Sequence, residues 1–215
     1  MTLIYLLEMI GTIAFAFVGA QIAIDLNLDF LGIYISGLST AVGGGMVRDI
    51  VLGNTPPALF RNSSYCLCAA LTITVMILLY KGLKDSAFYQ ILLKCIVVAD
   101  ALGLGIFTVV GMDIAISAGF TDNVLLVVFC GVITAVGGGL LRDTMINRTP
   151  TVLSKEIYAT SAILGGIGYY YTLKYFPPAI CIAMAVLVIT GVRLFAVRKN
   201  LNLPYIMSNG EIYMK

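Results

Sequence analysis

Two glycine triplets inside apolar runs are the residues whose spacing most favours a specific chemistry. Residues 41–49 read Ala-Val-Gly-Gly-Gly-Met-Val-Arg-Asp, and residues 135–143 read Ala-Val-Gly-Gly-Gly-Leu-Leu-Arg-Asp. Glycine destabilises a helix interior by about 1 kcal/mol relative to alanine, so each triplet predicts a broken or kinked helix. Carbonyls released by a break can replace part of a cation's hydration shell where they face water. The alternative is that the glycines only allow close helix packing. The six glycines are Gly43, Gly44, Gly45, Gly137, Gly138 and Gly139.

Each triplet is followed by an Arg-Asp pair, Arg48-Asp49 and Arg142-Asp143. Charges at membrane depth are costly and usually face a cavity or a partner. Neighbours on a helix point about 100° apart, so each arginine is expected to pair poorly with the aspartate that follows it. Pairing between the two blocks is the open alternative. These four residues either line or gate an ion path, or they lie at the membrane interface and fix helix depth.

Two further carboxylates, Glu8 and Asp100, lie inside apolar runs at equivalent positions of the two copies. They are candidates to attract cations, to neutralise the arginines or to carry a coupled proton. The alternative for Glu8 is a position near the surface, with the carboxylate reaching the aqueous phase.

The composition indicates an integral membrane protein. Of 215 residues, 60% are hydrophobic and only 11% are charged, and the mean hydropathy is +1.01. Soluble domains carry about 25% charge, so the sequence excludes a soluble enzyme, a disordered chain and a nucleic-acid binder. The absence of histidine excludes His-dependent catalysis and His-ligated metal sites. We expect no enzymatic activity, no cofactor and no metal beyond permeant monovalent cations.

Seven stretches approach the roughly 20 apolar residues that a membrane-spanning helix needs. Ten Lys and Arg residues fall on one side of this arrangement and three on the other, which predicts an external N-terminus and a cytoplasmic C-terminus. The predicted spans are Leu3–Ile24, Phe30–Val47, Tyr65–Tyr80, Ile91–Val110, Val124–Leu141, Ile157–Leu173 and Ala179–Phe195.

The chain contains an internal repeat of three helices. The glycine blocks recur at one offset, and residues upstream of them, including Glu8 with Asp100 and Phe15 with Phe107, recur at a slightly different one. Three is odd, so the second copy must enter the membrane upside down, as in many transporters. The predicted fold is all-α, with two inverted three-helix repeats plus a seventh helix, and helices 2 and 5 broken at the glycines. The predicted units are residues 1–90, residues 91–175, a seventh helix at 176–197 and a cytoplasmic polar tail at 198–215.

The doubled motif, with Thr-Pro following each copy, resembles prokaryotic members of the trimeric intracellular cation (TRIC) channel family, also labelled glycine transporter domain. The resemblance implies a homotrimer in the plasma membrane of a prokaryote, with a pore within each subunit that passes potassium and sodium ions. It implies kinks at the triplets beside the pore. The lysine motif that links animal members to phosphoinositides has no clear match, so no phosphoinositide dependence is expected. The implied pore residues are the six glycines with Arg48, Asp49, Arg142 and Asp143.

Two functions of different class stay open on the sequence. The first is a passive channel, mainly for potassium. The second is a secondary transporter of a small amino acid such as glycine, which the inverted repeat, Glu8 and Asp100 would also fit. Inverted repeats and broken helices serve both classes, so the sequence alone does not separate them.

Overall fold

The fold is almost entirely helical. The computed structural model describes residues 2–83, 86–154, 157–199, 201, 205–206 and 212–213. An antiparallel ladder pairs β1 (Tyr205–Ile206) with β2 (Ile212–Tyr213). The helices are α1 (Thr2–Asp25), α2 (Phe30–Val51), α3 (Ala58–Arg61), α4 (Ser64–Leu83), α5 (Ala87–Ser117), α6 (Val124–Met145), α7 (Thr151–Ser154), α8 (Ala159–Thr172) and α9 (Pro178–Lys199).

Six helices in the described part of the chain are long and apolar enough to cross a membrane: α1, α2, α4, α5, α6 and α9. This confirms the prediction of a multi-pass helical membrane protein. The sixth predicted span corresponds to α8, which has only 14 residues. At 1.5 Å per residue it is about 21 Å long, whereas the hydrocarbon core is about 30 Å thick. A membrane crossing by α8, and with it the total of seven spans, therefore stays a prediction.

The predicted units and the orientation also stay predictions. The proposed boundary at residue 90 falls within the first turn of α5, and most of the predicted tail at 198–215 lies outside the described residues. The orientation rests in part on Lys84, Lys155 and Lys215, which also lie outside them.

The repeat extends to the way the helices end. Asn27 and Gly119 follow α1 and α5 with φ of 55° and 97°, and Gly53 and Asn147 follow α2 and α6 with φ of 71° and 53°. The amide after each of these residues donates to the carbonyl five residues earlier, at 3.0, 3.2, 2.8 and 2.8 Å. This pattern satisfies carbonyls that a helix end leaves unpaired, and it needs a left-handed residue, which glycine or asparagine supplies.

The two copies meet where α2 and α6 cross. A Cβ atom added to Gly44 would overlap the carbonyl oxygen of Thr134, and one added to Gly138 would overlap that of Thr40. Each contact is the counterpart of the other under the repeat. Reciprocal contacts of this kind are the mark of a two-fold relation between the two halves.

The predicted break at the glycine triplets is not confirmed. α2 is α-helical from Phe30 to Val51 and α6 from Val124 to Met145, with the triplets inside both helices. The physical reason is the crossing itself: contact between the two backbones offsets the low helix propensity of glycine. Close packing, the alternative set against a break, describes Gly44 and Gly138. A kink that keeps the helix continuous stays a prediction.

A second reciprocal contact joins α1 to α5. The Phe107 ring lies over Gly11, where an added Cβ would meet ring carbons at 2.9 Å, and the Phe15 ring lies over Gly103 in the same way. The two rings meet edge to face, with centroids 5.1 Å apart and planes at 61°. Both phenylalanines are buried. The aromatic pair therefore lies on the relation between the halves, as the glycine crossing does.

Gly44→Ala and Gly138→Ala should each lower the melting temperature of the detergent-solubilised protein. The added methyl must displace backbone, and overpacking of a tight core costs about 1–3 kcal/mol. Gly82→Ala, in the last turn of α4, is the matched control, because no described atom outside its own helical turn lies within 4 Å of its added Cβ. Equal melting temperatures for the three variants in a fluorescence-detected thermal scan would contradict this account of the crossing.

Candidate functional site

Arg48 and Asp49 form a buried ion pair at the end of α2. The Arg48 guanidinium donates through Nε and Nη2 to Asp49 Oδ1 at 2.9 and 2.8 Å. Asp49 Oδ2 accepts a hydrogen bond from the backbone amide of Ala58, the first residue of α3, at 2.8 Å. Both side chains are nearly inaccessible to solvent. The aspartate therefore holds both the arginine and the loop that follows the helix.

Arg142 and Asp143 repeat this arrangement at the end of α6. Arg142 donates through Nε to Asp143 Oδ1 at 2.9 Å, and its Nη2 lies 2.9 Å from the same oxygen. Asp143 Oδ2 accepts from the amide and the hydroxyl of Thr151, in α7, at 2.9 and 3.1 Å. Arg142 also donates to the Thr40 hydroxyl at 3.3 Å, which reaches into the other half.

The expectation that each arginine pairs poorly with its own neighbour is wrong, and so is the alternative pairing between the two blocks. The long arginine side chain bends back over one turn and meets the adjacent carboxylate, although the two Cβ atoms diverge. The carboxylate is held in place by the loop amide on its other oxygen. A buried pair needs its remaining hydrogen-bonding positions filled, and the loop amides do this.

Glu8 joins the first cluster. Its Oε1 lies 3.9 Å from Nη1 of Arg48, and its Oε2 accepts a hydrogen bond from the Tyr65 hydroxyl. The side chain is 15% exposed, so Glu8 lies mostly within the protein. Of the roles considered for this residue, the geometry fits neutralisation of an arginine.

Asp100 occupies the equivalent place in the second half but has a different cationic partner. It accepts a hydrogen bond from the Tyr158 hydroxyl at 3.0 Å, as Glu8 does from Tyr65. Its Oδ2 lies 3.9 Å from Nη2 of Arg193, which comes from α9. The Arg193 guanidinium lies 4.7 Å from the centroid of the Tyr158 ring, a cation–π geometry. Helix α9 thus supplies the charge that α6 would supply under strict symmetry.

Two cavities lie against these clusters. The large cavity, of about 300 Å³, has exposed Asp25 and Arg148 among its lining residues, and buried Arg142, Asp143 and Tyr158 further in. The small cavity, of about 40 Å³, is lined by the Arg48 cluster with its neighbours. Phe15 and Thr40 line the large cavity, and their counterparts Phe107 and Thr134 line the small one.

The glycines divide by position within each triplet. The middle residues, Gly44 and Gly138, make the helix crossing described above. The third residues, Gly45 and Gly139, line the small and the large cavity, and an added Cβ would meet only the following guanidinium, at 3.6 Å. The first residues are packed more closely: an added Cβ on Gly43 would lie 3.0 Å from Leu141, and one on Gly137 would lie 3.2 Å from the Cα of Gly44.

Comparison with known proteins places the chain in a family. One family model, described as glycine transporter, matches residues 5–81 and again residues 97–174. The UPF0126 inner membrane protein YadS of Escherichia coli K12 is 35% identical over 205 residues, which cover 94% of this chain and 95% of that protein. A UPF0126 membrane protein of Vibrio cholerae is 34% identical over 204 residues, with 94% and 82% coverage.

Solved structures agree with the sequence comparison. A structure from a study of conductance through TRIC cation channels has a TM-score of 0.83 and 34% identity, and covers 94% of this chain and 96% of that one. A prokaryotic TRIC channel crystallised in 0.5 M KCl has a TM-score of 0.82 and 33% identity, and the match covers 94% of this chain and 99% of that one. The TRIC orthologue of Rhodobacter sphaeroides has a TM-score of 0.81 and 28% identity, and the match covers 94% of this chain and 100% of that one.

The chain belongs to the TRIC channel family. The resemblance inferred from the doubled motif is thereby confirmed. With six apolar helices and bacterial relatives described as inner membrane proteins, this TRIC family member is a multi-pass protein of the plasma membrane.

The sequence reasoning missed several residues of the charged clusters and of the two cavities. Thr40 and Thr134 directly precede the two repeated blocks, so extending the repeat by one residue would have found them. Phe15 and Phe107 were recognised as equivalent, but their contact depends on the fold. Arg193 carries no repeat signal, because α9 lies outside both copies. The structure buries it to 6% exposure.

Asp143→Asn should destabilise the protein strongly, because it leaves the buried Arg142 guanidinium without its carboxylate. Breaking a buried pair on one side costs about 3–5 kcal/mol. Asp122→Asn, in the exposed turn before α6, is the control for the same change of side chain. The double variant Arg142→Gln/Asp143→Asn should recover part of the loss in a thermal scan. A melting temperature for Asp143→Asn equal to that of the control would show that the pair is not structural.

Proposed function

We propose that this TRIC family member is a homotrimeric channel for monovalent cations, mainly potassium with sodium also permeant. Each subunit carries its own pore beside α2 and α6, and the N-terminus lies outside. The names of the solved relatives, which describe cation channels and trimeric proteins, support this proposal. The reading of the pore residues rests on the geometry of this chain.

One observation carries the pore assignment: the two cavities lie at equivalent places of the two halves. The Phe15–Phe107 pair and the two threonines of the glycine crossing lie between the cavities. Phe15 and Thr40 line the large cavity, and Phe107 and Thr134 line the small one. An inverted repeat puts equivalent sites on opposite sides of the membrane. The large and small cavities are then the two vestibules of one path, closed at its centre.

The walls of the path suit a cation that sheds only part of its water. Glu8 and Asp49 line the small cavity, and Thr40 and Thr134 line the large and the small cavity, respectively, beside the helix crossing. The continuous helices release no carbonyl at the triplets, so side-chain oxygens take the place of the carbonyl-lined constriction expected from the sequence. Rings of carboxylates are a common device of cation channels.

The decisive experiment is single-channel recording of the purified protein in planar bilayers under a potassium gradient. Unitary currents that reverse near the potassium equilibrium potential are expected, and replacing potassium by sodium should leave a measurable current. A glycine gradient is the control and should drive none. Bilayers that stay silent while reconstituted liposomes take up labelled glycine with saturation would overturn the channel assignment.

A carrier of a small amino acid is the second candidate, and two observations favour it. The matching family model is described as a glycine transporter. The large cavity also places the carboxylate of Asp100 and the guanidinium of Arg193 on one wall, and a zwitterion needs both charges. A carrier would show saturation and counterflow of labelled glycine, whereas a channel shows unitary currents.

Phe15→Leu and Phe107→Leu should each raise the potassium current of a single channel severalfold. The smaller side chain opens the aromatic contact between the two cavities while keeping an apolar core. Phe195→Leu on α9 is the control, because that ring is 58% exposed and contributes to neither cavity. Wild-type currents from both buried-ring variants would move the closed point away from this pair.

A further inference from the structure

The two halves of the site differ in the arginine that pairs with the carboxylate of the first helix of each copy. In the first half Glu8 pairs with Arg48 of its own copy, whereas in the second half Asp100 pairs with Arg193 of α9. Arg142, the counterpart of Arg48, is held instead by Asp143 and Thr40. The large cavity therefore contains a buried arginine, Arg193, that has no equivalent in the small cavity.

The charges that line the two cavities reflect this difference. The small cavity has two carboxylates, Glu8 and Asp49, and one arginine, Arg48, which leaves an excess of one negative charge. The large cavity has equal numbers of aspartates and arginines, and so no excess. These are Asp25, Asp100, Asp143, Arg142, Arg148 and Arg193.

Arg193 is the least compensated of the buried arginines that line the large cavity. Nη2 of Arg142 lies 2.9 Å from Oδ1 of Asp143, whereas Nη2 of Arg193 lies 3.9 Å from Oδ2 of Asp100. Arg193 Nε is buried and has no hydrogen-bond partner within the described residues. Arg148 is exposed at the mouth of the cavity, where salt screens it. The guanidinium of Arg193 thus presents a fixed positive charge in a vestibule that cations must enter.

We propose that Arg193 is a specificity-determining residue that makes the two vestibules electrostatically unequal, so that the channel rectifies. This inference rests on the proposed channel function. A fixed positive charge in one vestibule lowers the local concentration of cations there and leaves the other vestibule unaffected. Cations that enter through the large cavity are therefore retarded more than those that enter through the small one.

The test is the single-channel current–voltage relation of Arg193→Gln in potassium solutions of low and high concentration. The variant should carry a larger unitary current than wild type at low salt, and its rectification ratio should change, with the larger gain for entry through the large cavity. The difference should narrow toward about 1 M salt, where the Debye length falls to about 3 Å. Arg193→Lys keeps the charge and should retain the wild-type rectification.

Two variants separate the charge effect from a structural one. Arg198→Gln removes the same charge from an exposed position on the same helix, outside the cavity, and should leave the rectification unchanged. Asp100→Asn removes the carboxylate beside Arg193 and should lower the current at low salt, opposite in sign to Arg193→Gln. If Arg193→Gln yields no folded protein, Asp100→Asn and Arg193→Lys carry the test.

The outcomes distinguish this inference from the function on which it rests. A conducting wild type with the same rectification in Arg193→Gln overturns the role of Arg193 and leaves the channel intact. Currents altered equally by the glutamine and lysine substitutions would assign Arg193 a packing role and also overturn the proposal. A wild type that passes no unitary current contradicts the channel function itself.

Discussion

The constraint on which the structure depends is the approach of two helix backbones at Gly44 and Gly138. No side chain fits between α2 and α6 at this point, since each glycine faces a carbonyl oxygen of the other helix. This contact fixes the distance and angle between the two halves. It also fixes Thr40 and Thr134, whose carbonyls make the contact and which line the large and the small cavity, respectively. The glycines therefore position the residues that line the two cavities.

Charge burial follows from the same crossing. Each of these helices ends with an Arg-Asp pair one turn beyond its triplet, and the aspartate ties the helix to the next loop through Ala58 or Thr151. A buried ion pair is a weak source of stability unless its other hydrogen bonds are made, and here they are made by the loops. The pairs thus hold the crossing helices to the segments that lead to α4 and α8. Glu8 links the first pair to α1 through Arg48, whereas Asp100 on α5 pairs with Arg193 instead.

Sequence reasoning reached the family, the helical membrane fold and the repeat, because these depend on hydropathy and on self-similarity, both of which are local patterns. It also found every member of the two Arg-Asp pairs. It failed on the pairing, because the divergence of neighbouring Cβ atoms says nothing about how far an arginine side chain bends. It expected a helix break because propensity was weighed without the packing that offsets it. Arg193 was out of reach, since its role depends on where a helix outside the repeat docks.

The docking of α9 explains why a nearly two-fold protein need not behave symmetrically. Two inverted copies alone would give a path whose two ends carry equivalent groups, apart from single substitutions such as Glu8 against Asp100. A helix added after the second copy packs against α5 and α8 and has no counterpart beside the first. A charge that α9 buries therefore has no counterpart beside the first copy. Arg193 is such a charge: it lines the large cavity, and its Nη2 lies 3.9 Å from Oδ2 of Asp100. The asymmetry of the site thus comes from the helix that follows the second copy, whereas the repeat accounts for the groups that the two halves share.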